Sequence, residues 1–466
     1  MSMKKILFLM LFIASLHQSL LGQVFDVEKL LDNGTSESRI NFVYLGDGYT
    51  SAELTKFISD SQEVIISQFN FSPYKEYKNF FNAYAVKVKS TESGVDHPVI
   101  SGNSNCNPVP QMDKKTFFDS TFDYFDIHRL LVPTAYAKIA SVLADNTPFY
   151  DQANMLVNTP YYGGSGGAYA TASTHTDASL IMIHEIGHSF VDLADEYWAG
   201  ESYAEELANM TQESNTAQVK WKNWLGSEAI GIYPYGTSSP ESDWFRPHQS
   251  CMMRYLNSPF CAVCKEATID RIYTLISPIE SFIPTSNSID FDGSDLTFSI
   301  DLILPNPNTL EVEWFLDTNS IATNINEIVL TTTELTEATQ TIKVQVEDTT
   351  SLSRTYTFAN GYLFSVTWDI NNTSGVSDNL VQKFLYKAYP NPAKEILNFD
   401  YTAQNIHENF EIRITNLQGK VLSKQSFTPK EGVHSLPLSL HTFASGLYIL
   451  TVSTETYQRS FKFIKE

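Results

Sequence analysis

Along the first part of the chain the apolar positions switch between a period of two and a helical period. Arg39 to Gly46 reads as a strand, and Asp47-Gly48 supplies a turn. From Thr50 to Phe69, Leu54, Phe57, Ile58, Val64, Ile65 and Phe69 recur near helical spacing and predict an amphipathic helix. Phe81 to Ser90 is a second strand, Tyr136 to Leu143 a second helix, and Asn154 to Asn158 a short apolar strand. That last strand leads into Tyr161-Tyr162-Gly163-Gly164-Ser165-Gly166-Gly167. Alternating strands and helices predict one α/β (α+β) unit over residues 23–278.

Near Pro278 to Pro284 the texture changes. Short alternating runs such as Leu296 to Leu304 and Leu310 to Leu316 follow, rich in Thr, Ile, Val and Phe, with Gly, Pro and Asn between them. That pattern predicts an immunoglobulin-like β-sandwich over residues 279–378, ending in a polar linker from Asn371 to Asp378. Residues 386–466 form a third unit, also all-β, with strand runs at Ile396–Tyr401, Phe410–Thr415 and Leu447–Val452. Gln418-Gly419-Lys420 suits a hairpin turn between two of its strands.

The apolar run Ile6 to Leu16 follows Lys4 and Lys5 and precedes Gly22, a small residue suited to cleavage before Gln23. Residues 1–22 therefore read as a signal peptide. No later stretch approaches the ~20 apolar residues of a membrane span. A formal net charge of -22 disfavours nucleic acid and anionic membranes as partners, because counterion release needs clustered Lys and Arg. Cys106, Cys251, Cys261 and Cys264 suit an exported chain with one or two disulfides of unread connectivity. Cys261-Ala-Val-Cys264 also fits a redox or zinc-ribbon motif, although a ribbon wants two such pairs.

Chemistry concentrates in Leu180-Ile-Met-Ile-His184-Glu185-Ile-Gly-His188-Ser-Phe-Val191, apolar enough for a buried helix. Residues four apart sit about 40° around a helix from each other, so His184 and His188 face one way and can share one Zn²⁺. Glu185 points roughly 100° away, which makes it a poor ligand for that ion and a good general base for a metal-bound water. A zinc peptidase needs a third protein ligand and an open fourth position. Asp192-Leu-Ala-Asp195-Glu196 follows. On a straight helix Asp195 would lie about 10 Å along the axis from His188, so the helix must end near Val191 to Ala194 and the chain fold back. Asp195 is then the favoured ligand and Glu196 the alternative. Carboxylates near a helix C-terminus oppose its dipole unless a cation is present.

The run His184 to Tyr197, with Leu45-Gly-Asp-Gly-Tyr49, Ser93-Gly-Val-Asp96 and Tyr162-Gly-Gly-Ser-Gly166, resembles peptidase family M64 over roughly residues 38–275. The resemblance implies a metzincin-like zinc peptidase domain with a methionine turn beneath the metal. Cys251-Met252-Met253-Arg254-Tyr255 fits that turn, and the resemblance gives Tyr255 a role steadying the oxyanion. Two positions depart from the metzincin pattern: Val191 stands where the turn glycine is usual, and Ala194 where the third ligand falls. In such folds an edge strand before the metal helix pairs with extended substrate, and the glycines from Gly163 to Gly167 suit either that role or a plain loop. Asp47 and Asp96 are left unassigned between a structural role and calcium binding. Residues 386–466 resemble the C-terminal sorting domain of the type IX secretion system of Bacteroidetes, on Tyr389-Pro-Asn-Pro392, Asn416-Leu-Gln-Gly-Lys420, Ser445-Gly-Leu-Tyr448 and the basic-apolar ending.

Together these readings imply a zinc endopeptidase, secreted or at the cell surface after export through the periplasm. It meets protein or peptide substrates and the type IX secretion machinery. Glu185 and Tyr255 are its catalytic residues, and His184, His188 and Asp195 hold Zn²⁺. The alternative is a non-catalytic adhesin that keeps the fold. The family name points to immunoglobulin A, but fold analogy is a weak warrant for a substrate.

Overall fold

The computed structural model describes residues 24–98, 110–354, 361–372 and 384–466, apart from 404–408, 418, 429, 431 and 454–457. The expected signal peptide, Cys106 and most of the polar linker lie outside the described residues.

The first unit carries strands β1 (Val27–Leu31), β2 (Ile40–Asp47), β3 (Phe81–Val86), β4 (Ser120–Thr121), β5 (Val132–Pro133), β6 (Gln152–Val157), β7 (Gly164–Ser165), β8 (Ala170–Ser173), β9 (Tyr233–Pro234) and β10 (Phe245–Arg246). Its helices are α1 (Leu54–Gln68), α2 (Tyr136–Asn146), α3 (Ala178–Ser189) and α4 (Ala262–Leu275). One six-stranded sheet runs in the order β1-β3-β2-β6-β8-β7. Strands β3, β2, β6 and β8 are parallel, while β1 and β7 close the two edges antiparallel.

Every residue of β2 is buried, as a central parallel strand covered on both faces must be. Its alternation splits the core: Phe42 and Tyr44 pack with Phe57 of α1 and Ile181 of α3, whereas Val43 and Leu45 pack with Ile139 and Val142 of α2. The result is a three-layer arrangement that lays α3 along one face of the sheet. The helix expected from Thr50 begins at Leu54, because Thr50 to Glu53 forms a turn in which Glu53 Oε2 accepts from the Thr50 N–H at 2.9 Å.

Residues 279–372 form a sandwich. Strands β11 (Ile279–Ile283), β13 (Leu296–Leu302) and β16 (Glu327–Leu330) face a sheet of β12 (Ser288–Phe291), β14 (Leu310–Leu316), β15 (Asn319–Thr323), β17 (Thr339–Asp348) and β18 (Leu363–Asn372). Trp314 and Trp368 stack in its core with centroids 6.0 Å apart. β18 extends to Asn372, into the first residues read as linker. At the join with the first unit, Asp348 accepts from the Tyr77 and Tyr273 hydroxyls at 2.5 and 2.6 Å.

The last unit pairs a sheet of β19 (Phe384–Tyr389), β20 (Ile396–Ala403) and β23 (Gly432–Ser439) with one of β21 (Phe410–Asn416), β22 (Val421–Phe427), β24 (Gly446–Ser453) and β25 (Gln458–Lys465). The expected turn joins β21 to antiparallel β22, with Gly419 at φ +78°, a region that suits glycine.

Candidate metal centre

Helix α3 begins at Ala178 and stops at Ser189, earlier than the sequence suggested. Its end is built by the chain folding back. The Asp192 N–H donates to His188 O at 3.1 Å and the Leu193 N–H to Gly187 O at 3.0 Å. Asp192 itself takes a left-handed conformation, φ +65°. The turn residue is thus Asp192 and not Val191, and the acid expected one residue late follows the same displacement. Asn209, fully buried, fixes the returning segment by accepting from the Ala194 N–H and donating to its carbonyl, both at 2.8 Å. The Tyr235 hydroxyl donates to Asp195 O at 2.8 Å.

These contacts bring His184, His188 and Asp195 together. The two Nε2 atoms lie 3.2 Å apart, and Asp195 Oδ1 lies 3.1 and 3.3 Å from them. Each imidazole is oriented through its other nitrogen: His184 Nδ1 lies 3.0 Å from Met252 O and His188 Nδ1 lies 2.6 Å from Leu193 O. Carbonyls only accept, so both Nδ1 atoms carry protons, and each Nε2 faces the other ring and Asp195, where it would supply its lone pair to an ion. A tetrahedral ion with nitrogens at about 2.05 Å requires ligand atoms about 3.3 Å apart. The three atoms match that spacing. A divalent metal fits these residues, and the group has the donor set of a catalytic rather than a closed site.

In the metal-free state the charges settle among the three residues. Burial pulls His188 down, but the Asp195 carboxylate outweighs it and pushes the imidazolium up to about 9. Burial also pushes Asp195 up, yet the two histidines hold its carboxyl well below the usual carboxylate range. Glu185 is raised mainly by burial, with His184 and His188 opposing that shift. A carboxyl raised in this way holds its proton more readily than an ordinary glutamate, which suits a group that takes a proton during catalysis.

The edge strand β7 lies on α3 where glycine permits it. A Cβ on Gly166 would come 2.6 Å from His188 Cβ, and one on Gly164 would come 3.2 Å from Glu185 Oε1. Part of that edge is taken, since the Leu131 N–H donates to Gly164 O at 3.3 Å and the Gly164 N–H to Arg129 O at 3.2 Å. Cys251 to Tyr255 forms a turn: the Arg254 and Tyr255 N–H groups donate to Cys251 O at 2.9 and 2.8 Å, with Met252 and Met253 fully buried.

Tyr255 is half exposed, its ring 4.9 Å from the Arg254 guanidinium carbon. Tyr197 lies beside the trio, its hydroxyl hydrogen-bonded to Asp195 and receiving a long bond from Arg129 Nη2 at 3.4 Å. Neither Tyr197 nor Arg129 was singled out by sequence, although Tyr197 closes the acidic run. Glu196 does not join the histidines. It turns the other way, its Oε1 3.4 Å from Cys264 Sγ and 3.8 Å from Cys261 Sγ.

The cysteines correct the disulfide expectation. Cys251, Cys261 and Cys264 are free and buried, with Sγ atoms 3.6 Å apart in two pairs, far beyond an S–S bond. Asp47 and Asp96 are structural. Asp47 is completely buried and takes two donors on each carboxylate oxygen. Asp96 Oδ1 accepts the Lys114 N–H.

Residues 28–230 match the family described as IgA Peptidase M64, and residues 387–466 match the secretion system C-terminal sorting domain. The first match spans His184, Glu185, His188, Asp195 and Glu196 but ends before Met252 and Met253 and the three buried cysteines. It supports a peptidase, and the second implies secretion or attachment at the cell surface. No curated protein matches the chain. Among solved structures, dimeric latent PorU from Porphyromonas gingivalis is 14% identical over 40% of this chain, with a TM-score of 0.18, and the chain covers 20% of its length. The fibronectin(III)-like modules of CbhA from Clostridium thermocellum are 14% identical over 40% of this chain and 93% of theirs, TM-score 0.16. A beta-glucuronidase from Parabacteroides merdae is 8% identical over 49% of this chain and 28% of its own, TM-score 0.16. Likenesses this slight carry no argument. No helix among the described residues is long and apolar enough to cross a membrane.

Proposed function

We propose that the protein is a secreted zinc-dependent endopeptidase that hydrolyses peptide bonds of extracellular proteins. The observation that carries this reading is the convergence of His184 Nε2, His188 Nε2 and Asp195 Oδ1 at 3.1 to 3.3 Å beside the raised carboxyl of Glu185. His184, His188 and Asp195 would hold the ion. Zn²⁺ bound there supplies a Lewis acid for the scissile carbonyl and lowers the pKa of a water to about 7.

Glu185 takes the proton of the attacking water and returns it to the departing amine. It sits next to β7, so a substrate backbone lying along what remains free of that edge brings its carbonyl toward the base. The Met252 and Leu193 carbonyls hold the imidazoles in the tautomer that faces the ion. Tyr255, on the turn under the histidines, is the residue assigned to steady the oxyanion. Residues 1–22 direct export and residues 386–466 present the chain to the type IX machinery.

The test is metal analysis of the purified protein, followed by casein or gelatin cleavage by wild type and Glu185→Ala. The variant should keep its metal and lose roughly 10²–10⁴-fold in rate, the usual contribution of a general base. Metal present with equal, negligible cleavage by both proteins would instead establish a binding protein that retains the fold.

A further inference from the structure

A second cluster of metal-ligating groups lies beneath the first and shares its chain segments. Cys261 Sγ and Cys251 Sγ each lie 3.6 Å from Cys264 Sγ, and Glu196 Oε1 lies 3.4 Å from Cys264 Sγ and 3.8 Å from Cys261 Sγ. The four ligand atoms all fall within 4.8 Å of one another. An ion with Zn–S bonds of about 2.3 Å spaces its sulfurs about 3.8 Å apart in a tetrahedron, and a carboxylate oxygen at about 2.0 Å sits roughly 3.5 Å from each sulfur. The cluster has those dimensions. None of these three thiols is in a disulfide.

The surroundings point to a cation as well. Glu196, Cys251 and Cys264 are fully buried and Cys261 nearly so. Glu196 Oε2 is buried with no hydrogen-bond partner, and Oε1 receives only a long bond of 3.4 Å from Asn209 Nδ2 besides the two thiols. A carboxyl enclosed this way is costly unless something positive completes it. The Cys261 N–H donates to Cys251 Sγ at 3.3 Å, as thiolate sites commonly arrange. Cys261 caps α4 and Cys264 lies in its first turn, where the helix dipole also favours thiolates.

We propose that Glu196, Cys251, Cys261 and Cys264 form a second, structural metal centre for a thiophilic divalent cation, zinc in the first place. Four protein ligands close the shell, so the centre has no open position for a water or substrate. Soft sulfur donors exclude calcium and magnesium. Its ligands alternate with parts of the first centre. Cys251 adjoins Met252, whose carbonyl orients His184, and Glu196 adjoins Asp195 and donates its N–H to Met253 O at 2.7 Å. The ion thereby ties the methionine turn, the N-terminus of α4 and the acid-bearing segment into one floor beneath the histidines. In an exported protein it also keeps the three thiols from oxidation.

The proposal stands apart from the peptidase reading and is tested separately. The full chain is reconstituted with Co²⁺, and the ion content and absorption of wild type are compared with those of a His184→Ala/His188→Ala variant. The expected result is two ions per chain in wild type and one in the variant, both showing sulfur-to-cobalt charge-transfer absorption. One ion in wild type with that absorption would sink the histidine centre and leave this one standing. Cobalt bound without sulfur charge transfer would overturn the proposal. So would Cys251, Cys261 and Cys264 that react with iodoacetamide as readily in the native zinc-loaded protein as after chelation. A disulfide between any two of them, found by mass spectrometry of the unreduced protein, would overturn it too.

Discussion

Replacing Asp47 by alanine should unfold the first unit well before the rest of the chain. Asp47 ends the central strand β2, and its carboxylate holds Ser90 and the segment from Thr116 to Ser120. Oδ1 accepts from Ser90 Oγ and the Phe118 N–H, both at 3.0 Å, and Oδ2 accepts from Thr116 Oγ1 at 2.9 Å and the Ser120 N–H at 3.1 Å. Phe118 and Ser120 are fully buried, so their N–H groups find no water when the carboxylate goes. Each orphaned donor costs about 1–3 kcal/mol, and the hydroxyls recover part of their loss by rotation. The sum is on the order of 4 kcal/mol, a large share of the ~5–15 kcal/mol that stabilises a domain. For a unit of this size that lowers the melting transition by roughly 10 °C. Scanning calorimetry of the full chain measures it, with Asp47→Asn expected in between, because the amide keeps an acceptor but sets its own N–H groups against two donors. A shift under about 3 °C would refute the accounting. A calcium-dependent rise in the wild-type transition that Asp47→Ala abolishes would return Asp47 to the role of a cation ligand.

Metal affinity at the histidine centre should rise with pH up to about 9, where the His188 proton is lost in the metal-free protein. Below that pH an entering ion must expel the proton, which costs about tenfold in affinity per pH unit. Chelator competition between pH 7 and 10 reads this out, and a flat profile from 7 to 9 counts against the ion pair. The same pairing gives the metal-free protein a stabilising contribution that is full below the ordinary histidine value of 6.5 and disappears as pH rises through about 9, measurable by urea melts after chelation. Gly166→Ala places a methyl 2.6 Å from His188 Cβ without removing any ligand. Overpacking of this kind costs ~1–3 kcal/mol, so metal affinity should drop roughly tenfold, and unchanged affinity would show that the segment just after β7 yields freely.

What the sequence revealed and what it hid divide along one physical line. The spacing of His184 and His188 is a property of a single helix, so the helical period alone placed both rings on one face, with Glu185 beside them. The central strands and the helices α1 and α2 were legible for the same local reason, although the sheet order β1-β3-β2-β6-β8-β7 was not, since pairing partners come from far along the chain. The site becomes harder to read where long-range contacts take over. The end of α3 carried no glycine to mark its turn, and the αL residue proved to be Asp192. The segment beyond it is fixed by Asn209 and Tyr235, 15 and 40 residues from the atoms they hold. The disulfide expectation failed similarly. Export and cysteine count favour S–S bonds, but Glu196 completes the cluster from 65 and 68 positions away from Cys261 and Cys264.

The adjacent acids Asp195 and Glu196 diverge to two different clusters. With the turn displaced to Asp192, Asp195 meets the histidines while Glu196, held by its N–H to Met253 O, turns to the cysteines on the opposite side. The Met253 carbonyl and Asn209 hold that short segment rigidly enough for two neighbouring carboxylates to diverge, one toward each cluster. A helix end unsuited to acids because of its dipole becomes acceptable when each acid faces positive charge. The αL turn at Asp192 therefore sets the direction of both acids together, Asp195 toward the histidines and Glu196 toward the cysteines.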